Sequence, residues 1–284
     1  MRPAELSADW RIKQSSGTHT LAHVASRTFQ SFRSKVWKYW RERGRHDLMW
    51  RQTKDPYKIL VSEIMLQQTQ VSRVKEKYRE FLKVFPTVRA LANAPLAEVL
   101  ETWSGLGYNR RGKYLHDAAK EIVAKHKGRV PGDYAALRAL PGVGDYTARA
   151  VRVFAWNETE VLIETNIRAA IIHHFFQIRT SDVLISDREI VPILEKAGKG
   201  QDSREWSWAL MDYGAYIKKL HRNPTRRSAR YKKQSKFDGS LRQARGAILK
   251  AQAQEISLSG VQDKYADRFE KAYASLVRDG LVTG

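Results

Sequence analysis

The stretch Leu140-Pro141-Gly142-Val143-Gly144-Asp145-Tyr146-Thr147-Ala148 decides how this chain is read. It joins an apolar helix end to a new helix through a Gly-x-Gly turn. Glycine enters positive φ at no steric cost, so two glycines one residue apart permit a tight reversal with consecutive backbone N–H groups exposed. Those groups stand at the start of the next helix, where unsatisfied donors and the helix dipole favour an anion. Gly142, Gly144 and Thr147 are therefore candidate phosphate contacts. The segment Trp103-Ser104-Gly105-Leu106-Gly107-Tyr108 echoes the same design. Alone, Gly-Leu-Gly reads equally as an ordinary connection between helices; the nonapeptide is far more specific.

Outward from this turn the pattern is helical. Asp55-Pro56 is a capping residue followed by proline at a first helical position. Tyr57, Leu60, Val61, Ile64 and Gln68 then share one helical face. Val71, Val74, Tyr78, Phe81, Leu82 and Phe85 form a second run that Pro86 stops. Further helices are predicted over 88–93, 95–103, 111–126, 134–139, 145–156, 166–177, 187–197 and 204–220. Alternating β patterns are absent, so the fold class is all-α.

The 284 residues carry 51 Lys and Arg against 30 Asp and Glu, a formal net charge of +21. At 42% hydrophobic, with 8 Trp, 12 Tyr and 9 Phe, the composition is globular. No cysteine is present, which excludes disulfides, thiolate zinc sites, iron–sulfur ligation and a cysteine nucleophile. No apolar run reaches the ~18–20 residues of a membrane helix, and the first thirty residues lack an apolar signal core. The expectation is a monomer without membrane contact, cytoplasmic and nucleoid-associated in a bacterium, whose partner is a polyanion.

Residues 1–30 are polar and weakly patterned, which predicts a loosely ordered arm. The stretch 221–236 holds Arg222, Arg226, Arg227, Arg230, Lys232, Lys233 and Lys236 with no acid. It reads as a solvated basic linker or as a phosphate-contacting segment, with Arg226, Arg227 and Arg230 as the candidates. Leu241, Ala244, Ile248, Phe269, Tyr273 and Leu276 then predict a small helical extension over 237–284, laid out like a winged-helix fragment.

The segment 140–148 resembles the hairpin of the helix-hairpin-helix DNA glycosylases. Ser62-Glu63-Ile64-Met65-Leu66-Gln67-Gln68-Thr69-Gln70-Val71 is similar to the signature of the MutY-type adenine glycosylases in that superfamily. Trp103–Tyr108 with Asn109-Arg110-Arg111, and Ala209-Leu210-Met211-Asp212-Tyr213-Gly214-Ala215, match the same proteins. The likeness spans residues 37 to 215. It implies two helical domains flanking a cleft, assigned here to 55–165 and to 31–54 with 166–236. It also implies a duplex partner with a mismatched or damaged base, from which one nucleotide is rotated out at a cost of a few kcal/mol. By resemblance, Gln68 and Tyr108 wedge into the stack, an amide that bonds base edges and a ring that stacks; a core aromatic at a helix start is the plain alternative for Tyr108.

Glu63 lies among Ile59, Leu66 and Gln67 on its helix. A carboxyl in apolar surroundings is costly unless it has a task, and desolvation favours the protonated form that a general acid needs. Purine release requires a proton on the leaving base and negative charge near a developing oxocarbenium ion, a two-carboxylate logic. The second carboxylate implied by resemblance is Glu164, where the family carries Asp; Asn166 confirms the register. The extra methylene displaces the oxygens by about 1 Å, an offset that can cost on the order of 100-fold. A salt-bridged Glu63 and a helix-starting Glu164 are the plain alternatives.

Tyr146 stands where the bifunctional relatives carry a Schiff-base lysine, so base release without strand scission is expected, with Tyr146 bonding to the second carboxylate. Arg45, Trp50 and Leu66 fall where the family lines its base pocket, and Trp208 where it places Gln or Glu. Trp offers one donor and no acceptor, which favours a smaller base such as uracil or thymine. The resemblance would place a four-cysteine iron–sulfur loop at 221–236, and an oxoguanine-reading domain after it. Both are expected to be absent, and no cofactor is implied beyond room for a monovalent cation at the hairpin. The leading expectation is an adenine glycosylase acting opposite G or 8-oxoG. The alternatives are a G:U or G:T glycosylase, an inactive DNA-binding relative, and an abasic-site lyase, against which Tyr146 weighs.

Overall fold

The structure, a computed structural model, describes residues 18–176, 184–233 and 236–282. Its helices are α1 (Thr18–Arg43), α2 (Pro56–Leu66), α3 (Val71–Val84), α4 (Val88–Asn93), α5 (Leu96–Thr102), α6 (Arg110–Lys125), α7 (Tyr134–Ala139) and α8 (Asp145–Val151). They continue as α9 (Thr165–Phe175), α10 (Asp187–Gly198), α11 (Ser203–Leu220), α12 (Leu241–Ala253), α13 (Ser259–Lys264) and α14 (Ala266–Arg278). Among the described residues there is no strand, only an isolated parallel bridge between Ile185 and Ser228. The fold is all-α. Residues 1–17 of the predicted arm, and Gln177 at the end of a predicted helix, lie outside the described residues.

The predicted arm does not reach residue 30, because α1 begins at Thr18. Phe32, Val36 and Trp40 recur every fourth residue along it and are buried. Phe32 packs edge-on against Phe175 at 5.2 Å and Trp206 at 6.1 Å. Phe29, within the predicted arm, meets Phe175 at 5.3 Å.

The chain divides into two compact units. One contains the chain up to Arg45 and Val161–Tyr231; the other contains His46–Glu160 and the chain from Lys232 onward. The predicted domain edges at 54/55 and 165/166 lie later than these. Trp50 shows why: it packs edge-on against Tyr78 of α3 at 5.5 Å, so 46–54 belongs with the second unit. The extension after 236 also belongs to that unit. It has its own small core of Ala244, Ile248, Phe269, Ala272 and Leu276, against which Leu100 of α5 packs. Its described residues form three helices and no strand, so the winged-helix layout is not what these residues build.

In the second unit α2 is the central element. Asp55 caps it by accepting from the Tyr57 and Lys58 amides at 2.9 and 3.4 Å. Eight of its residues, Tyr57 and Ile59 to Met65, are buried, so it is enclosed on every side rather than amphipathic. In the first unit α9 and α11 approach backbone to backbone. A Cβ on Gly214 would stand 1.8 Å from the Asn166 carbonyl oxygen, so only glycine fits.

Candidate active site and DNA-contacting turns

Glu63 is the one carboxylate among the buried residues of α2, with 8% exposure. Three residues later, within one turn, the helix stops at Leu66, which is half-buried. Gln68 therefore leaves the helical face on which the periodicity placed it. Its φ is +57°, and it is exposed. Tyr108 has φ +49°. A side chain other than glycine in this region is uncommon and carries a cost, and such strain collects at functional positions. Both candidate wedge residues share it.

One residue that the sequence reading did not single out holds both turns. The Arg111 guanidinium donates to the Ile64, Met65 and Gln67 carbonyls and the Thr69 hydroxyl on one side. On the other it donates to the Leu106 and Gly107 carbonyls at 3.3 and 3.0 Å. Burial pushes this guanidinium down to about 10, so it stays cationic at neutral pH. Its position in the Asn109-Arg110-Arg111 motif was the available signal; the fivefold donor capacity of arginine is the reason.

At the hairpin the two glycines differ. Gly142 has φ +75°, and a Cβ there would lie 2.7 Å from that of Tyr114. Gly144 is an ordinary extended N-cap at φ −83°, with nothing within 4 Å of the site a Cβ would take. One glycine bends the chain and the other keeps the approach to α8 open. Gly142→Ala is expected to lower stability by about 1–3 kcal/mol. Gly144→Ala should leave the thermal midpoint nearly unchanged and weaken duplex binding. Melting and anisotropy titrations check both; equal melting losses would refute the distinction. Thr147 is 3% exposed, and its hydroxyl accepts from Gln67 Nε2 at 3.2 Å, which ties the start of α8 to the turn after α2. Tyr146, half-buried, occupies the first turn of α8.

In the first unit Glu164 caps α9. Its Oε1 accepts from the Asn166 and Ile167 amides at 2.7 and 2.8 Å, and its Oε2 from Asn166 Nδ2 at 3.2 Å. Asn166 Oδ1 in turn accepts from Lys218 Nζ at 3.2 Å. Burial pushes the Glu164 carboxyl above the usual carboxylate range, while the two amides, Lys218 and Arg168 pull the other way. The carboxylate that sequence reading assigns to the sugar is also the residue that starts this helix.

Arg45 and Trp208 both have partners within the first unit. The Arg45 amide and guanidinium both donate to the carboxylate of Asp212, which is 2% exposed. Trp208 is buried and stacks on Trp40 at 6.5 Å. Its indole is thus part of the packing of α11 on α1. Trp50 likewise is 5% exposed. The basic stretch is no linker. Pro224–Arg227 forms a 3-10 turn with Pro224 and Thr225 buried, and Arg227 donates to the Phe176 carbonyl at 2.8 Å. Arg227 is thereby tied into the fold, while Arg226 and Arg230 are exposed. Among the described residues no cluster of His, Asp or Glu is placed to hold a metal ion.

Residues 61–193, close to half of the chain, match the HhH-GPD superfamily of base excision DNA repair proteins. Within it, the adenine DNA glycosylase of Mycobacterium tuberculosis is 38% identical over 179 residues, 63% of this chain and 59% of that protein. The thymine/uracil-DNA glycosylase of Pyrobaculum aerophilum is 36% identical over 153 residues, 54% of this chain and 66% of that protein. The chain thus spans about three-fifths of the mycobacterial relative's length. Among solved structures, a thermostable thymine-DNA glycosylase superposes with a TM-score of 0.59 at 27% identity, covering 67% of this chain and 88% of the other. A trapped endonuclease III–DNA covalent intermediate shares the fold, with a TM-score of 0.53 at 20% identity over 66% of this chain and 84% of the other.

Proposed function

We propose that this protein is a DNA glycosylase of base excision repair, hydrolysing the N-glycosidic bond of a base rotated out of a mispaired duplex. Adenine opposite guanine or 8-oxoguanine is the first assignment. The observation that carries it is Glu63, a carboxyl buried on the central helix of a chain whose residues 61–193 match this superfamily. In the reaction Glu63 gives its proton to a nitrogen of the leaving base. The C1′–N bond breaks with its electron pair on the base, water adds to C1′, and that water loses a proton. Glu164 is the carboxylate that steadies the cationic sugar. Tyr146 cannot form an imine, so an abasic site is the product. Gly142, Gly144, Arg226 and Arg230 offer contacts to phosphate, and binding should weaken steeply with salt. The partner is double-stranded DNA and the working form a monomer in the cytoplasm. No helix of the described residues is long and apolar enough to cross a membrane.

The iron–sulfur cluster implied by the family does not fit this chain. Cysteine is absent, and the turn that follows α11 is packed with Pro224 and Thr225 buried. A second reading, thymine or uracil excision, is favoured by the relatives of that activity.

Single-turnover release is to be measured on duplexes carrying A:8-oxoG, A:G, U:G, T:G and hypoxanthine pairs. Fastest release from an adenine pair, with strand breaks only after alkali, is expected. Fastest release from U:G or T:G would establish the second reading, and breaks without alkali would overturn the role given to Tyr146.

A further inference from the structure

Within the second unit the chain encloses a cavity of about 760 Å³ between the turns bearing Gln68 and Tyr108 and the helices α12 and α14. Small-ligand sites commonly measure about 300–1,000 Å³. Six arginines line it against one acid, Asp279. That acid is already engaged, accepting from Arg245 at 2.6 Å and Arg110 at 3.3 Å. Arg111 is engaged by the two turns and Arg110 and Arg245 by Asp279, and the guanidinium groups still outnumber the acid, an excess that favours an anion in the hollow. At its rim Phe237 and Leu241 are 55% and 40% exposed, large apolar groups left in water.

The aromatic geometry is specific. The Arg242 guanidinium lies 5.2 Å from the Tyr108 ring centre and 5.9 Å from that of Phe237. Its Nη1 donates to the Tyr108 hydroxyl at 2.7 Å. Flat cations and aromatic faces beside further arginines form a platform for a nucleobase with partners for its phosphate. No carboxyl is available there to protonate a leaving base, since Asp279 is held by two guanidinium groups.

We infer that this cavity is a second nucleotide site, which holds, without cleaving it, the purine left unpaired when its partner is rotated out. The module α12–α14 thereby reads the opposing strand through Arg242 and Phe237. A guanine-type base is the fitting occupant, because arginine pairs with its O6 and N7 acceptors. The inference rests on the proposed glycosylase function for the origin of the unpaired base, but its binding test does not require turnover.

The test uses the full chain and duplexes with a tetrahydrofuran abasic analogue placed opposite guanine, 2-aminopurine or a second tetrahydrofuran. Wild type is expected to bind the guanine duplex roughly 10-fold tighter than the doubly abasic one. It should also change the 2-aminopurine emission. Arg242→Ala and Arg242→Lys, which lack the planar fork, and Phe237→Ala, which lacks the stacking face, should each cut the preference to within about 3-fold. Phe237 is exposed, so its variant stays decisive even where Arg242→Ala fails to fold. A wild type with no preference, or variants that keep it, would overturn the site. Should no duplex release a base while the preference and its loss persist, the glycosylase reading fails and the nucleotide site stands.

Discussion

Glu63→Gln is expected to slow base release by about 10²–10⁴-fold, the usual contribution of a general acid. The amide keeps the size of the carboxyl but has no acidic proton to give. Because Glu63 sits among buried residues of α2, an isosteric exchange leaves packing intact, whereas a shorter side chain would open a void. Melting temperature and duplex affinity should therefore stay close to wild type while single-turnover release collapses. Three measurements on one preparation separate these effects. Release at the wild-type rate would assign the proton to another group, and loss of folding along with activity would make Glu63 a structural residue.

Gly214→Ala is the second large effect. The added methyl would stand 1.8 Å from the Asn166 oxygen and 2.5 Å from its carbonyl carbon, where ordinary contact begins at 3.4 Å. Backbone cannot rotate aside as a side chain can, so α9 or α11 must shift by more than 1 Å. Overpacking of this kind costs about 1–3 kcal/mol or more. The shift falls on the residue that bonds Glu164 and Lys218, and a 1 Å displacement at a reacting group can cost about 100-fold. A clear fall in thermal midpoint and a drop in release on that scale are expected together. If both stay within twofold and one degree of wild type, the backbone contact does not govern this site.

The helical class and most helix starts could be read from caps and spacing. Asp55 announces a helix that forms where expected, and the helices predicted over 134–139 and 204–220 form within a residue of those bounds. The start of α1 before residue 30 was hidden, because that segment is polar and weakly patterned in the sequence. The site was legible as residue types more than as surroundings. Glu63 is buried where its apolar neighbours implied. Arg45 bonds Asp212, Trp208 packs on Trp40, and Arg227 bonds the Phe176 carbonyl, because partners far apart in sequence compete for each side chain. The local motif lists a residue but not its long-range partner. Gln68 fell off its predicted face because α2 ends two residues earlier, a boundary that no capping residue marks. Arg111 was marked only by its place in the Asn109-Arg110-Arg111 motif, and Arg242 escaped notice because nothing local distinguishes it from the many other arginines of a basic chain.

The manner in which Arg111 is engaged has a dynamic corollary. A single side chain is shared by the peptide groups around Ile64–Thr69 and around Leu106–Gly107. Neither segment can breathe without forfeiting bonds that also restrain the other. Amide hydrogen exchange in the two should accordingly proceed at one common rate, as a single cooperative opening in which a perturbation at one loop is felt at its counterpart.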